Sequence, residues 1–417
     1  MSEQRQTTDL LIVGGGPAGY TAAIFAARRG LSVRLFDHSR KPLQKLRITG
    51  KGRCNLTNNC TVEQFLENVP RGSKFLRSSY SRFTSQDIMA FFESLGVPLK
   101  TERGRRVYPQ SERADDIAEA LLKEAKRLSI QVESTSVRNL WIEDGKLLGI
   151  RTASEAISGR SVLLCTGGMS YPATGSDGSG YALAQQAGHT VSPLMPSLVS
   201  VRWRSPMRAE LAGLSLKNVR LKCSKGKKTL MDELGELLFT HEGVSGPLVL
   251  TLSSLGAFED FREWDITLDL KPGLDWEQLD HRLLRDFSEN ANRQFKNALD
   301  ELLPKSLIPV VIQESKIPGE LRVNQVTAEQ RKKLLHLLKE FPMPLGENGP
   351  YEEAVVTAGG VLLKEVNPKT MASKCLPGLY LAGELLDADG LTGGYNLTIA
   401  FCTGHAAGIS ILEDEEQ

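Results

Sequence analysis

A short branched run, Asp9 to Val13, leads directly into Gly-Gly-Gly-Pro-Ala-Gly. A small-residue segment then runs to Gly30, and a second apolar run follows from Ser32 to Asp37. Strand, tight turn, helix and strand in that order predict a βαβ unit. Within it Gly14, Gly16 and Gly19 match G-x-G-x-x-G. The first permits the turn, the second lets a pyrophosphate approach the backbone, and the third lets the helix pack against the strand. The helix that opens at Pro17 and Ala18 presents unpaired N–H groups and the positive end of its dipole to phosphates. Asp37 stands 18 residues after Gly19, where a carboxylate accepts hydrogen bonds from an adenosine ribose. A carboxylate there favours an unphosphorylated ribose, so FAD or NAD is expected over NADP.

The rest of the chain bounds the answer. Hydrophobic residues make up 41% and charged residues 24%, which is ordinary globular usage and excludes disorder as a whole-chain description. The 51 Lys and Arg nearly balance the 50 Asp and Glu, so neither a histone-like binder nor an acidic tail protein fits. The six cysteines form no CxxC pair and no ligand spacing with the histidines, so reduced thiols in a cytoplasmic protein and no metal are expected. The polar N-terminus and the absence of a long apolar run predict neither a secretory leader nor a membrane span.

Ser161 to Gly168, SVLLCTGG, reads as another buried strand of the nucleotide domain, with Thr166 and Gly167 at its cofactor end. From about Val191, segments such as LVSVRWR, NVRLKC and DITLDL alternate apolar and polar residues, as antiparallel strands do. From Trp276 to Phe341 the periodicity is helical, and after Pro350 nucleotide-domain character returns. The expected fold class is α/β: a nucleotide-binding domain over 1–190 and 351–417, interrupted by an inserted β-rich domain over 191–275 and a helical subdomain over 276–350. Near the C-terminus a short strand ends in Gly383-Glu384, and Gly393-Gly394-Tyr395-Asn396 introduces a last small-residue helix. An acid near ribitol hydroxyls and a helix N-terminus near the flavin ring are what FAD needs. No second G-x-G-x-x-G follows a strand, so NAD(P)H as donor would visit the flavin transiently.

At this point the sequence resembles the BaiN/YhiN-like FAD-dependent oxidoreductases, also known as the aminoacetone oxidase family, which include a ribosomal RNA dihydrouridine synthase branch. The resemblance rests on six collinear blocks: GGGPAG from Gly14, TGKGRCNLTN from Thr49, LLCTGGMSYPATGSDGSGY from Leu163, LFTHEGVSGP from Leu238, VTAGGV from Val356 and GLYLAGELLDADGLTGGYN from Gly378. Many members carry three glycines before Arg-Cys-Asn, whereas here the middle position is Lys51. An acid often found before the last glycine of the Ser-rich loop is Ser179 here.

The resemblance implies a Rossmann-like FAD-binding domain with an inserted β-barrel-like domain and a small helical domain, and a flavin faced by Arg53, Cys54 and Asn55 in their Gly-flanked loop. Cys54 is the candidate proton donor, and the alternative is a small residue packed beside the flavin. His241 comes from the inserted domain and is a second candidate catalytic group, although a lone His in a turn also serves structure. Tyr171, Tyr395 and Asn396 are candidate lining residues. The resemblance further implies amine oxidation, reduction of an enone in steroid-like acids, or reduction of uridine to dihydrouridine in large-subunit ribosomal RNA.

Charge distribution favours the last. Residues 1 to 110 hold 18 Lys and Arg against 8 Asp and Glu, a balance of +10, which leaves 33 against 42 in the remainder. In the segment 70–106, Arg71, Lys74, Arg77 and Arg82 interleave with Phe75, Tyr80 and Phe83, followed by TERGRRVYP. Cations mixed with rings suit RNA phosphates and bases, and a solvated basic face is the plain alternative. The expected function is therefore an FAD-dependent reductase of an activated C=C bond, with uridine in ribosomal RNA as leading substrate. A small-molecule enone reductase or amine oxidase, and a non-catalytic flavin-bound sensor, are the alternatives.

Overall fold

The computed structural model describes residues 7–39, 41–206 and 208–413. The chain divides into two units, residues 1–197 with 350–417 and residues 198–349.

The first unit is built on a parallel sheet. Strand Thr8–Val13 lies between Val33–Phe36 and Ala156–Leu164, with Gln131–Glu133 beyond the former and Leu379–Leu381 beyond the latter. The strands are apolar because both faces are covered, and Leu10, Leu11, Ile12, Leu163 and Leu164 have no exposed surface. The strand Ala156–Leu164 is long enough to serve two sheets. Its second half pairs in parallel with Thr8–Val13, while its first residues pair antiparallel with Lys146–Arg151, which continues into Asn139–Glu143.

Helix Pro17–Arg28 packs on the C-terminal helix Tyr395–Ser410, which is buried on nearly every side. The contact is close because it uses the smallest residues. A Cβ at Gly404 would overlap the Ala18 carbonyl, and one at Gly408 would press on the Ala22 carbonyl. This contact joins the first and last helices of the chain.

The second unit contains a seven-stranded antiparallel sheet in the order Phe341–Pro342, Asp265–Asp269, Ser215–Lys225, Lys228–Phe239, Gly243–Ser245, Val201–Trp203, Leu345–Asn348. The two edge strands are consecutive in the chain. Met343 N–H donates to Ile266 O and Arg204 N–H to Pro344 O, so the segment 341–348 joins both edges and closes the sheet in barrel fashion. The helices Trp276–Glu289, Ile308–Ser315 and Ala328–Lys339 do not form a body of their own. Leu279, Leu283, Val311 and Leu334 share one core with Leu221, Phe239 and Leu268 of the strands. The β-rich and helical stretches expected on either side of 275/276 thus share one unit: each helix has one apolar face, and that face needs the sheet to cover it. Among the described residues no helix is long and apolar enough to cross a membrane.

Candidate dinucleotide and flavin site

The first glycine turn has the geometry its spacing predicts. Gly14 has φ +113°, and a Cβ there would overlap the Cys165 carbonyl. A Cβ at Gly19 would overlap the Gly14 carbonyl, so only glycine lets this helix lie against the strand end. Gly16 differs, because a Cβ built on it meets nothing within 4 Å. The open space above Gly16, at the N-terminus of a helix whose first position is Pro17, is where a pyrophosphate fits. Tyr20 N–H makes the first helical bond to Gly16 O at 3.0 Å, which leaves the N–H groups of the turn before it pointing outward. The Asp37 carboxylate stands against Gly15 and accepts the Ser39 N–H at 3.0 Å. Burial, then the nearby Asp37 charge, pushes the Tyr20 phenol up to about 12.

The remaining glycine-bearing segments gather around this turn. Thr166 and Gly167 continue from the strand beside Gly14, whose Cβ would lie 2.9 Å from the Thr166 Cα. Gly383 sits against Ala18, and its N–H donates to Thr403 Oγ1 at 3.0 Å. At the start of the last helix Gly394 has φ +99°, a conformation that favours glycine, and a Cβ there would be 2.5 Å from Thr57 C. Asn58 Nδ2 donates to Gly393 O at 3.0 Å, and Thr57 Oγ1 lies 2.7 Å from Thr398 Oγ1. The loop after Cys54 and the last helix are thereby fastened together. Asn396 spends its side chain locally, accepting the Gly390 N–H at 2.8 Å and donating to Gly390 O at 2.7 Å. What Asn396 and Tyr395 can offer a ligand is the unpaired backbone N–H of a first helical turn. The Tyr395 ring is packed into the core, with its phenol pushed up to about 12 by burial.

Glu384 is the most connected acid here. Its carboxylate accepts Lys45 Nζ at 2.7 Å, Ser170 Oγ at 2.7 Å and the Thr357 N–H at 3.1 Å. Thr357 Oγ1 in turn accepts the N–H groups of Met169 and Ser170 at 2.8 and 3.1 Å. Lys45, Ser170 and Thr357 were not anticipated. They sit on three segments with no shared motif, and only the fold brings them to the acid after Gly383. The next loop is fixed by a bidentate pair: Arg71 Nε and Nη2 each lie 2.5 Å from the Asp389 carboxylate, which has no exposed surface.

The Gly-flanked loop carries Lys51 and Cys54 in left-handed conformation, with φ 59° and 57°. Arg53 points to acids of its own unit, donating to Glu102 at 2.7 Å and Glu112 at 2.9 Å with its guanidinium 4.1 Å from the Tyr108 ring centroid. These carboxylates raise its pKa further. Cys54 has no exposed surface, and burial pushes its thiol up to about 12. A side chain without water-sized space beside it fits the packed-residue reading of Cys54 better than the proton-donor reading. Asn55 keeps a buried Oδ1, and Thr166 a buried Oγ1, with no protein partner among the described residues.

His241 is exposed in the second unit, in the turn between Lys228–Phe239 and Gly243–Ser245. Tyr171 is half-buried at φ 51° and hydrogen-bonds through its backbone to Tyr351 O at 3.0 Å. The basic segment divides in two. Lys74, Arg77, Arg82, Arg103, Arg105 and Arg106 are exposed, but Tyr80 and Phe83 are buried at 0% and 5% exposure and Phe75 packs on the core. The expected stacking rings are therefore core residues, and the cations alone face solvent. Cys165 and Cys402 are buried, as their small apolar surroundings suggest.

Comparison with known proteins identifies the family. Residues 8–410 match the family described as HI0933-like protein Rossmann domain. The chain is 33% identical over 408 residues to the 3-dehydro-bile acid delta(4,6)-reductase of Clostridium scindens, spanning 96% of this chain and 98% of that protein. It is 30% identical over 409 residues to the ribosomal RNA dihydrouridine synthase of Escherichia coli strain K12, spanning 97% and 98%. Among solved structures, the open conformation of a flavocytochrome c3 fumarate reductase aligns with a TM-score of 0.52 at 17% identity, over 98% of this chain and 78% of that one. At that identity the likeness shows the fold alone.

Proposed function

The chain belongs to the HI0933-like Rossmann family of FAD-dependent oxidoreductases, and from that premise we propose that it reduces a C=C bond conjugated to a carbonyl. NAD(P)H is the electron source, and uridine in large-subunit ribosomal RNA is the leading substrate. The observation that carries the reaction class is the chemistry common to the two relatives' names. A delta(4,6)-reductase of a 3-dehydro bile acid and a dihydrouridine synthase both saturate a ring double bond conjugated to a carbonyl.

Bound FAD would supply a hydride to one alkene carbon. The residues that would hold it are Gly14, Gly16, Pro17, Ala18, Gly19 and Asp37 at the adenosine end, with Thr166, Gly167, Gly383, Glu384, Gly393, Gly394, Tyr395 and Asn396 toward the flavin. Gly16 leaves room for the phosphates, and the last helix turns its first N–H groups outward, the arrangement that stabilises negative charge. Lys45 and Ser170 hold Glu384 in one orientation. Arg53 anchors the loop that carries Cys54 and Asn55.

The exposed cations of the segment 74–106 support RNA as substrate through phosphate contacts, which depend on salt, and not through stacking. The bile acid relative supports a second reading, a small-molecule enone. Anaerobic addition of NADH or NADPH should bleach the flavin, and a uridine-containing ribosomal RNA fragment should restore the oxidised spectrum at a catalytic rate. Unchanged dihydrouridine in the ribosomal RNA of a deletion strain, measured by mass spectrometry, would overturn the RNA assignment. Re-oxidation by a bile acid dienone but not by RNA would favour the small-molecule reading. Reduction by a small amine with rapid oxygen consumption would replace both with an amine oxidase, and no turnover with any of these would leave a flavin-bound sensor.

A further inference from the structure

Outside the dinucleotide cradle, the first unit brings together three side chains that no sequence spacing connects. His189 follows the helix Ser179–Gln186, Glu365 ends the helical turn Leu363–Glu365, and Cys375 precedes the strand Leu379–Leu381. Glu365 Oε2 is 3.4 Å from His189 Nδ1, Cys375 Sγ is 3.8 Å from the same nitrogen, and the three atoms all lie within 4.8 Å of one another. Ligands about 2.0–2.3 Å from a tetrahedral zinc ion sit roughly 3.3–3.8 Å apart. The two measured separations fall at these values.

The three potential ligand atoms converge on one point. A cation at the shared point would engage all three atoms. The outer partners are already in place. His189 Nε2 lies 2.8 Å from Ser373 Oγ, and that oxygen also accepts the N–H groups of Cys375 and Leu376 at 3.0 Å each. One serine therefore contacts the His189 ring and the backbone that carries Cys375, support of the kind found around metal ligands. The Thr190 N–H fixes the Glu365 carboxylate at 2.7 Å, and the Lys374 N–H holds Glu365 O at 2.9 Å. The His189 side chain has no exposed surface, Glu365 is 17% exposed and Cys375 is exposed, so an ion has a route in.

We propose that His189, Glu365 and Cys375 form a binding site for a divalent ion of the zinc class, with the fourth position open to solvent on the Cys375 side. One nitrogen, one oxygen and one sulfur make a borderline-soft donor set that suits Zn²⁺ over Mg²⁺ or Ca²⁺. The ion would tie the segment 363–376 to the end of the helix Ser179–Gln186.

The test uses the purified flavoprotein dialysed against a chelator and titrated with zinc chloride by calorimetry, then with Co²⁺ followed at wavelengths beyond the flavin absorption. One equivalent of zinc per chain is expected, along with intense tetrahedral Co²⁺ bands. Cys375→Ser, an exposed and conservative change, should weaken zinc at least about tenfold and collapse those bands. Glu365→Gln should weaken zinc comparably, with flavin content unchanged in both variants. No zinc binding on titration, or zinc bound with the same stoichiometry and affinity in wild type, Cys375→Ser and Glu365→Gln, would overturn the site.

Discussion

His405 makes the stability of the first unit depend on pH, in a direction and by an amount that can be worked out. Its ring lies in the last helix, stacked on Phe83 at 4.3 Å and 7° and met edge-on by Phe25 at 4.4 Å and 83°. The residue is 9% exposed, and its buried Nδ1 has no partner among the described residues. A charged imidazolium there would lose its hydration, so burial pushes the pKa down from 6.5 to about 4, with Asp87 pulling it partly back. The folded form thus takes up its proton at lower pH than the unfolded chain. The stability this group contributes is fully present above pH 6.5 and is lost as pH falls from 6.5 toward 4.

Linkage gives the size. Between pH 7.5 and pH 5 the unfolded chain gains about one proton at this site and the folded one almost none, a loss of about 2 kcal/mol, rising to roughly 3 kcal/mol well below pH 4. His405→Phe keeps an aromatic ring between Phe25 and Phe83 and removes the titrating group. Urea unfolding of wild type and His405→Phe, at both pH values and with matched flavin content, isolates the contribution because the other titrating groups cancel. The wild type should lose about 2 kcal/mol more than the variant on acidification. Parallel losses within about 0.5 kcal/mol would show that the ring is not held neutral by its cage.

The second and third glycines of the first turn should separate binding from folding. Gly16→Ala adds a methyl group to open space, so it should leave the apoprotein's melting temperature unchanged and strip the flavin on purification. Gly19→Ala must move the helix off the Gly14 carbonyl, so it should lower both, and equal effects in the two variants would argue against the cradle. Arg71→Ala leaves the Asp389 carboxylate buried without its cation and should cost about 3–5 kcal/mol by urea denaturation; a loss under about 1 kcal/mol would mean that Asp389 finds water. Lys51→Gly relieves an exposed side chain of φ 59° and should stabilise by up to about 1 kcal/mol, readable as a raised melting temperature. Cys54→Ala should keep turnover within a few-fold, and a loss above about a hundredfold with flavin still bound would restore the thiol as proton donor.

The parts of the fold that were legible in the sequence are those set by local chemistry. Gly14 and Gly19 had to be glycine because a backbone passes where a side chain would be, and such constraints leave a mark at fixed spacing. The strands Thr8–Val13 and Asp265–Asp269 and the helix Ala328–Lys339 announced themselves by period, since burial on one or two faces dictates the pattern. The boundary between strands and helices in the second unit was not legible as a joint core, because the faces of Leu279 and Leu334 say that each needs a partner without saying which.

The site shows the same divide more sharply. Lys45, Ser170 and Thr357 converge on Glu384 from three separate segments, and although Ser170 and Thr357 lie in the blocks from Leu163 and Val356, nothing in either block says that they meet. The rings near the basic segment are a different case, because the signal was present. Leu76, Tyr80 and Phe83 recur at intervals of four and three on the helix Ser73–Arg82 and its cap, which places them on one face, while Lys74 and Arg77 fall elsewhere. Interleaving in sequence is therefore not interleaving on a surface. Once that face is spent on the core, the exposed cations can bind a polyanion only through its phosphates, a contact that ignores base identity. Selection of one uridine would then have to come from the flavin site itself, where the target ring must leave its stack to reach the cofactor. Affinity for RNA and choice of base should accordingly separate: replacing Lys74 and Arg77 with Ala should flatten the salt dependence of binding and leave the modified position unchanged.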